Sequence, residues 1–216
     1  SSYYLKIFKN FDCDTNGIGK YSKTKHQNAG RNNMHTIERQ KDQLSFSKLK
    51  FFKRPNLSWF YKKSNRFNIS GEYALIVPGG SGKRLNKRIP LEIFFEIVSL
   101  LINQNVQPIL IGAGDDFHVC KKIEEKFPKV KNLCLQTSYF DIASLAMNSL
   151  FSIGNDTGPI HIISRANKKT IVLFTKNSNP NLCGPIGELT EILFFENNSI
   201  SFDKLVMEKT IKAISQ

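Results

Sequence analysis

The stretch FSIGNDTGPIHIISRANKKTIVLF, Phe151 to Phe174, sets two apolar, β-rich runs on either side of the polar insert GNDTGPIH, Gly154 to His161. Asn155, Asp156, Thr157 and His161 stand there among two glycines and a proline. Short apolar runs interrupted by Gly and Pro read as strand, turn, helix and strand. That pattern repeats upstream from Tyr73. YALIVPGG reads as a strand ending in a Pro/Gly turn, and PLEIFFEIVSLLINQ (Pro90 to Gln104) as a helix with proline in its first turn. VQPILIGAG is a second strand, DDFHVCKKIEEKFP a polar helix, KNLCLQ a short strand and YFDIASLAMN a helix. SLFSIG then leads into the GNDTGPIH turn, and a helix is expected to about Ala166. KTIVLF, the loop TKNSNPNLCGPIG, EILFF and the helix SFDKLVMEKTIKAI close the chain. Alternating short apolar strands and helices predict an α/β fold, a Rossmann-like doubly wound parallel sheet with helices on both faces.

Residues 1–70 differ in character. DTNGIGKYSKTKHQNAGRNN reads as a long loop, and MHTIERQKDQLSF as an amphipathic helix carrying Met34, Ile37, Leu44 and Phe46. KFFKRPNLSWFY and KKSNRF read as a linker. The division predicted is therefore 1–70 and 71–216. Of the net charge of +13, residues 1–70 hold 15 Lys/Arg against 4 Asp/Glu, and residues 71–216 hold 16 against 14. A basic front of this kind meets phosphates, anionic lipid headgroups or an acidic sugar, or is simply a solvated face. The opening SSYYLKIFKN has no initiating Met, charged leader or long apolar run, and reads as the interior of a longer protein. Cys13, Cys120, Cys134 and Cys183 form no CxxC pair, so reduced, mostly buried thiols of a cytoplasmic protein are expected. No run approaches the ~20 apolar residues of a membrane span.

In doubly wound sheets, ligands bind beyond the carboxyl ends of the strands, where strand order reverses. Three polar turns follow strands here. In GNDTGPIH, Gly154 is expected to leave the strand in a conformation that other residues disfavour. Asp156 or Thr157 is placed to cap the next helix, Gly158 to let an anion approach the backbone, and His161 to lie in the first turn. In PGGSGKRLNKRIP, Ser81, Lys83, Arg84, Lys87 and Arg88 surround three glycines without forming a Walker loop or a GxGxxG fingerprint. GAGDD offers Asp115 or Asp116 to a ribose diol or to the cap of the following helix.

Together the turns resemble glycosyltransferase family 9, the ADP-heptose:lipopolysaccharide heptosyltransferases. VPGGSG…NKRIP is similar to the family's P-G-[AG]-S…K-R-W-P stretch, with Ile89 where Trp is usual. ILIGAGDD is similar to its strand-then-GGx[DE] segment, and GNDTGPIH to its ND[ST]GPxH signature. The resemblance covers Tyr73 to the end and, more weakly, MHTIER, which resembles the last helix of the family's amino-terminal domain.

It implies a GT-B architecture, with residues 71–216 as the nucleotide-sugar donor domain and 1–70 as the tail of an acceptor domain. Transfer of heptose from ADP-heptose to a lipopolysaccharide-core acceptor, inverting and metal-independent, is implied. Lys87 would stabilise the leaving phosphate, with Asp156 beside it in the catalytic set. Ser81, Lys83, Asp115, Asp156, Thr157, Gly158 and His161 would bind the donor. The family's proposed base, an Asp near the start of the amino-terminal domain, has no counterpart in this sequence. No cofactor and no metal are implied. The partners would be the nucleotide-sugar and a lipid-linked saccharide, with a cytoplasmic location at the inner face of the inner membrane and no nucleic acid. The competing readings are a catalytically incomplete nucleotide-sugar-binding fragment, a sugar-nucleotide epimerase on a similar scaffold, and a nucleic-acid binder using Phe51, Phe52, Trp59, Phe60 and Tyr61.

Overall fold

The computed structural model describes residues 7–215 apart from 9–10, 20, 50–55, 63, 65 and 196–199, and of Ile200 and Ser201 the backbone only. The first half of the linker and the aromatic pair Phe51 and Phe52 thus lie outside the described residues. The chain divides into two compact units, Ser1–Asn56 with Asn181–Cys183, and Leu57–Pro180 with Gly184–Gln216. This division falls ahead of the 70/71 boundary because Leu57–Ser70 is bonded to the larger unit. Tyr61 Oη donates to Ile162 O (2.6 Å), Ser64 N to Ser144 Oγ (2.7 Å) and Lys131 Nζ to Phe67 O (2.6 Å).

In the smaller unit, the stretch read as a loop holds two short strands, β1 (Asn16–Gly17) and β2 (Thr24–Lys25), paired in parallel. Helix α1 (Thr36–Phe46) follows, with His35 as its cap accepting from Ile37 N and with no residue buried. A polar network ties α1 to the loop. Arg31 Nε donates to His26 Nδ1 (2.9 Å), so the ring proton sits on Nε2 and is given to Asp42 (2.6 Å). That bond, with one from Asn28, holds the Asp42 carboxyl below its ordinary value.

The larger unit is built on six parallel strands: β3 (Tyr73–Val77), β4 (Gln107–Leu110), β5 (Lys131–Asn132), β6 (Phe151–Asn155), β7 (Lys169–Thr175) and β8 (Thr190–Phe195). They lie in the order β5-β4-β3-β6-β7-β8, so strand order reverses between β3 and β6. The helices of this unit are α2 (Leu91–Asn103), α3 (Phe117–Lys126), α4 (Tyr139–Asn148) and α5 (Gly158–Ile163), and, after the short α6 (Pro180–Cys183), which but for Pro180 belongs to the smaller unit, α7 (Ile200–Ile214). Every residue of β3 and of β6 is buried. Successive strand side chains point to opposite faces, so the sheet is covered on both.

Helix α2 turns Ile93, Phe94, Ile97, Val98 and Leu101 inward at helical spacing, and Phe94, Ile97, Val98 and Leu101 are fully buried. Each such side chain contributes roughly 1.5–3 kcal/mol relative to exposure. α2 packs against α3 and α7, and α4 against α5. Pro90 is the cap of α2 and not part of its first turn. All four cysteines are thiols, with Cys120 and Cys134 buried, Cys183 half-buried and Cys13 exposed. Among the described residues no helix is long and apolar enough to cross a membrane.

Candidate functional site

The register Val77↔Gly154 sets the turn after β3 beside the turn after β6. Gly154 is required there by proximity. A Cβ on it would stand 2.5 Å from Val77 Cβ and 2.6 Å from Val77 O. The special conformation expected from the sequence is absent, since among the described glycines only Gly71 has positive φ. Asn155, 1% exposed, then joins the two turns. Its Nδ2 donates to Pro78 O (2.7 Å) and Gly79 O (3.1 Å), and its Oδ1 accepts from Ile89 N (3.1 Å).

Between these turns, at the point of strand reversal, lies a cavity of about 390 Å³. Its wall includes Ser81, Lys83, Arg84, Lys87 and Arg88 from the first turn and Asn155, Asp156, Thr157 and Gly158 from the third. Among the described residues, four cations thus face one carboxylate. At its centre Lys87 Nζ donates to Asp156 Oδ2 (3.0 Å) and Ser178 Oγ (2.9 Å), while Ser178 Oγ donates to the same Asp156 oxygen (2.6 Å). Two of the three ammonium N–H groups are occupied in this way, and among the described residues the third has no acceptor and is available to a ligand. Lys87 is 18% and Asp156 6% exposed as side chains. Lys87 ends a 3₁₀ segment, Gly82–Lys87, that is held at the carboxyl end of β7. Thr175 Oγ1 and Asn177 Nδ2 both donate to Asn86 O, at 3.1 and 2.8 Å.

Thr157 is the cap residue of α5, but its hydroxyl makes no capping bond, and Asp156 is turned to Lys87 instead. The helix ends at Ile163, short of the expected Ala166, and its six residues make less than two turns. Positive charge in the cavity therefore comes chiefly from side chains and not from a macrodipole. His161 Nε2 lies 3.8 Å from Asp156 Oδ1, outside the cavity wall, with its side chain 45% exposed.

The two acids of GAGDD divide their roles. Asp116, 5% exposed, braces the turns: Oδ1 accepts from Gly80 N (2.7 Å) and Oδ2 from Ala113 N (2.9 Å). Gly79 is glycine because its Cβ would fall 1.9 Å from Asp116 Oδ1. Asp115 is exposed, accepts from Gly82 N (2.7 Å) and is not part of the cavity wall. Arg88 Nη2 bonds Gly80 O and Asp115 O, which leaves its buried Nε–H without an acceptor among the described residues.

The structure thus assembles Ser81, Lys83, Lys87, Asp156, Thr157 and Gly158, and leaves Asp115 and His161 beside the group. Ser178 is the member that the sequence did not single out. It sits in the polar turn TKNS after β7, the same kind of position that marked the other three turns. Among the described residues no three His, Cys, Asp or Glu side chains converge as a metal site would require. A second cavity, about 460 Å³, touches Tyr73 at the amino end of β3. Its one carboxylate, Asp141, is answered by Arg66 and Ser138.

The profile of glycosyltransferase family 9 (heptosyltransferase) matches residues 20–212. Lipooligosaccharide heptosyltransferase 2 of Campylobacter jejuni subsp. jejuni serotype O:6 is 34% identical over 103 residues, 44% of this chain and 30% of that protein. The matched segment thus spans less than a third of that curated relative. Among solved structures, E. coli ADP-heptose lps heptosyltransferase II superposes with a TM-score of 0.75 at 16% identity, covering 100% of this chain and 73% of that one. E. coli heptosyltransferase WaaC with ADP gives 0.66 at 20% identity, over 89% and 60%. The family 9 protein of Veillonella parvula gives 0.69 at 17% identity, over 98% and 69%. These neighbours share the GT-B-type α/β fold. With its profile match covering nearly its whole length, the chain belongs to glycosyltransferase family 9 (heptosyltransferase).

Proposed function

We propose that residues 71–216 form the donor-binding domain of an inverting, metal-independent heptosyltransferase, with ADP-heptose as donor. The acceptor is a lipid-linked saccharide of the lipopolysaccharide-core type at the cytoplasmic face of the inner membrane. Residues 1–70 then belong to the acceptor side. The observation that carries this reading is the Lys87–Asp156–Ser178 cluster in a cation-lined cavity at the strand reversal.

Expulsion of a nucleoside diphosphate places growing negative charge on the leaving phosphate. Fixed donors aimed at such charge are each worth about 10²–10³ in rate. Asp156 and Ser178 hold the Lys87 ammonium in place, so little reorganisation is needed when the phosphate arrives. Arg88 Nε, Lys83 and Ser81 supply further donors, and Gly158 leaves space for the diphosphate. Asp115, in the 3₁₀ turn that follows β4, is assigned to the ribose and His161 to the sugar side. The relatives named for ADP-heptose or found with ADP support the choice of nucleotide.

The test is ADP release from ADP-heptose with heptose-deficient lipooligosaccharide as acceptor. In the intact enzyme, Lys87→Ala is expected to lower turnover at least about tenfold, and EDTA to leave it unchanged. Undiminished turnover in the variant, or loss of activity with EDTA, contradicts the assignment.

A further inference from the structure

The second cavity, about 460 Å³, lies at the amino end of the sheet and belongs wholly to the larger unit. The extended run from Tyr73 to Gly79 sets it roughly 20 Å from the donor cavity. Its wall is held in place. Ser64 N donates to Ser144 Oγ (2.7 Å) and Lys131 Nζ to Phe67 O (2.6 Å), which ties the segment before β3 to α4 and β5. Phe67 and Leu145 give the wall an apolar side, and Tyr73 adds its ring. The Tyr73 hydroxyl donates to Leu145 O (2.8 Å), and burial pushes the phenol up to about 12, so Tyr73 serves as wall and not as acid or base.

Asp141 supplies the polar side, with its side chain 9% exposed. Its hydrogen bonds converge on Oδ2, from Ser138 N (2.8 Å), Ser138 Oγ (2.7 Å) and Arg66. Oδ1 accepts from no group among the described residues and is the oxygen left for a ligand in the cavity. A carboxylate oxygen so far out of water is costly to leave unbonded. The same Arg66 guanidinium lies over Phe67, 5.1 Å from the ring centroid. The carboxylate is thus neutralised before any ligand arrives, and Oδ1 lacks a hydrogen-bond donor rather than a charge. Two exposed residues complete the polar set among the described residues. The Ser64 hydroxyl accepts from Arg66 N (3.3 Å) and keeps its proton to donate, while Asn148 Nδ2 donates to Ser144 O (2.9 Å) and leaves Oδ1 to accept.

We propose that this cavity binds a neutral sugar, one pyranose ring with hydroxyls on Asp141 Oδ1, Ser64 and Asn148 and its C–H face on Phe67 and Leu145. An apolar wall carrying a few placed polar groups is the usual form of a small-molecule site. A hydroxyl donating to a carboxylate makes a charge-assisted bond, roughly twice as strong as a neutral one. An ammonium ligand is disfavoured, because Arg66 and Lys131 already border the cavity.

The test follows amide NMR shifts of the isotope-labelled 216-residue chain on titration with glucose, galactose, mannose, lactose and butylammonium chloride. Saturable shifts at Gly71, Tyr73, Asp141 and Asn148 are expected with a sugar, with a dissociation constant on the order of 1 mM. Binding of lactose as well as a monosaccharide identifies the end of a glycan as the ligand, and binding of monosaccharides alone a free sugar. Ile69→Trp, which fills the half-buried wall, is expected to abolish the shifts, and Asp141→Asn to weaken binding at least about tenfold. Circular dichroism checks the fold of each variant.

The absence of a saturable shift with any of the sugars overturns the proposal, as does undiminished binding by either folded variant. Shifts with butylammonium but with no sugar also overturn it, in favour of a cation site. Sugar-induced shifts confined to Lys87, Asp156 and Gly158 overturn it too, since they place the sugar in the donor cavity. No nucleotide enters these titrations, so failure here leaves the donor-site proposal standing.

Discussion

Replacing Lys87 with Met leaves the Asp156 carboxylate buried without its ammonium partner. The two charges lie 3.0 Å apart, with side-chain exposures of 18% for Lys87 and 6% for Asp156. At an effective dielectric of about 20 their gross attraction is about 5 kcal/mol, most of it offset by desolvation. The single deletion is costlier than the pair is worth, because it strands a buried charge. A cost of about 3 kcal/mol follows, at the low end of the usual range because the pair borders a cavity. For a domain of this size that lowers the melting temperature by roughly 6–12 °C.

Asp156→Asn costs less, about 1 kcal/mol, because Lys87 can extend toward solvent and the amide oxygen still accepts from Ser178. The double variant Lys87→Met/Asp156→Asn is therefore more stable than the sum of the singles predicts, by roughly 2 kcal/mol. Thermal unfolding followed by circular dichroism at neutral pH reads all four corners of the cycle. Additive losses, or a costlier Asp156→Asn than Lys87→Met, would refute the claim that Asp156 holds the ammonium in place.

Gly154→Ala forces a Cβ into Val77 in the centre of the sheet, and a loss of about 3 kcal/mol is expected. A melting temperature unchanged within about 1 °C would show that β3 and β6 are not so closely set. Asp141 supplies a pH dependence. Burial alone would raise its carboxyl, but hydrogen bonds from Ser138 and the Arg66 guanidinium hold it below the ordinary value. Stability from a depressed carboxyl is present above the unfolded value of about 3.9 and is lost as pH falls through the folded one. The stability gap between wild type and Arg66→Met is thus expected at pH 6 and should close below about pH 4. A gap that persists into strong acid contradicts this.

The alternation of strands and helices was legible because parallel strands buried on both faces must be short apolar runs, and YALIV, PILI and TIVLF all obey that demand. Their polar turns stood out for the same reason, since ligand chemistry needs residues that the core excludes. What could not be read was side-chain direction. Asp115 and Asp116 are neighbours in sequence, yet the 3₁₀ turn Gly114–Asp116 sends Asp116 inward to Gly80 and Ala113 and leaves Asp115 at the surface. Ser178 reaches Lys87 only because β7 pairs with β6, and no motif within TKNSNP announces that pairing. Gly154 misled because a glycine at a strand end serves either conformation or close approach, and sequence alone does not separate the two. KNLCLQ and the helix after GNDTGPIH are shorter than their composition indicates. The chain turns through positive φ at Leu135 in the first case and at Asn167 after the second.

The central claim is that the cavity between Gly79 and Gly158 seats the diphosphate of an adenine nucleotide. Calorimetric titration of the 216-residue chain with ADP, UDP and GDP, beside a Gly158→Val variant, tests it most directly. A Cβ at Gly158 meets no atom within 4 Å beyond its chain neighbours, so the added side chain has open space at the cavity wall. ADP-selective binding that disappears in a Gly158→Val protein of unchanged melting temperature is the predicted result. Equal binding of ADP by that variant, or no binding of any of the three nucleotides by the wild type, would contradict the account.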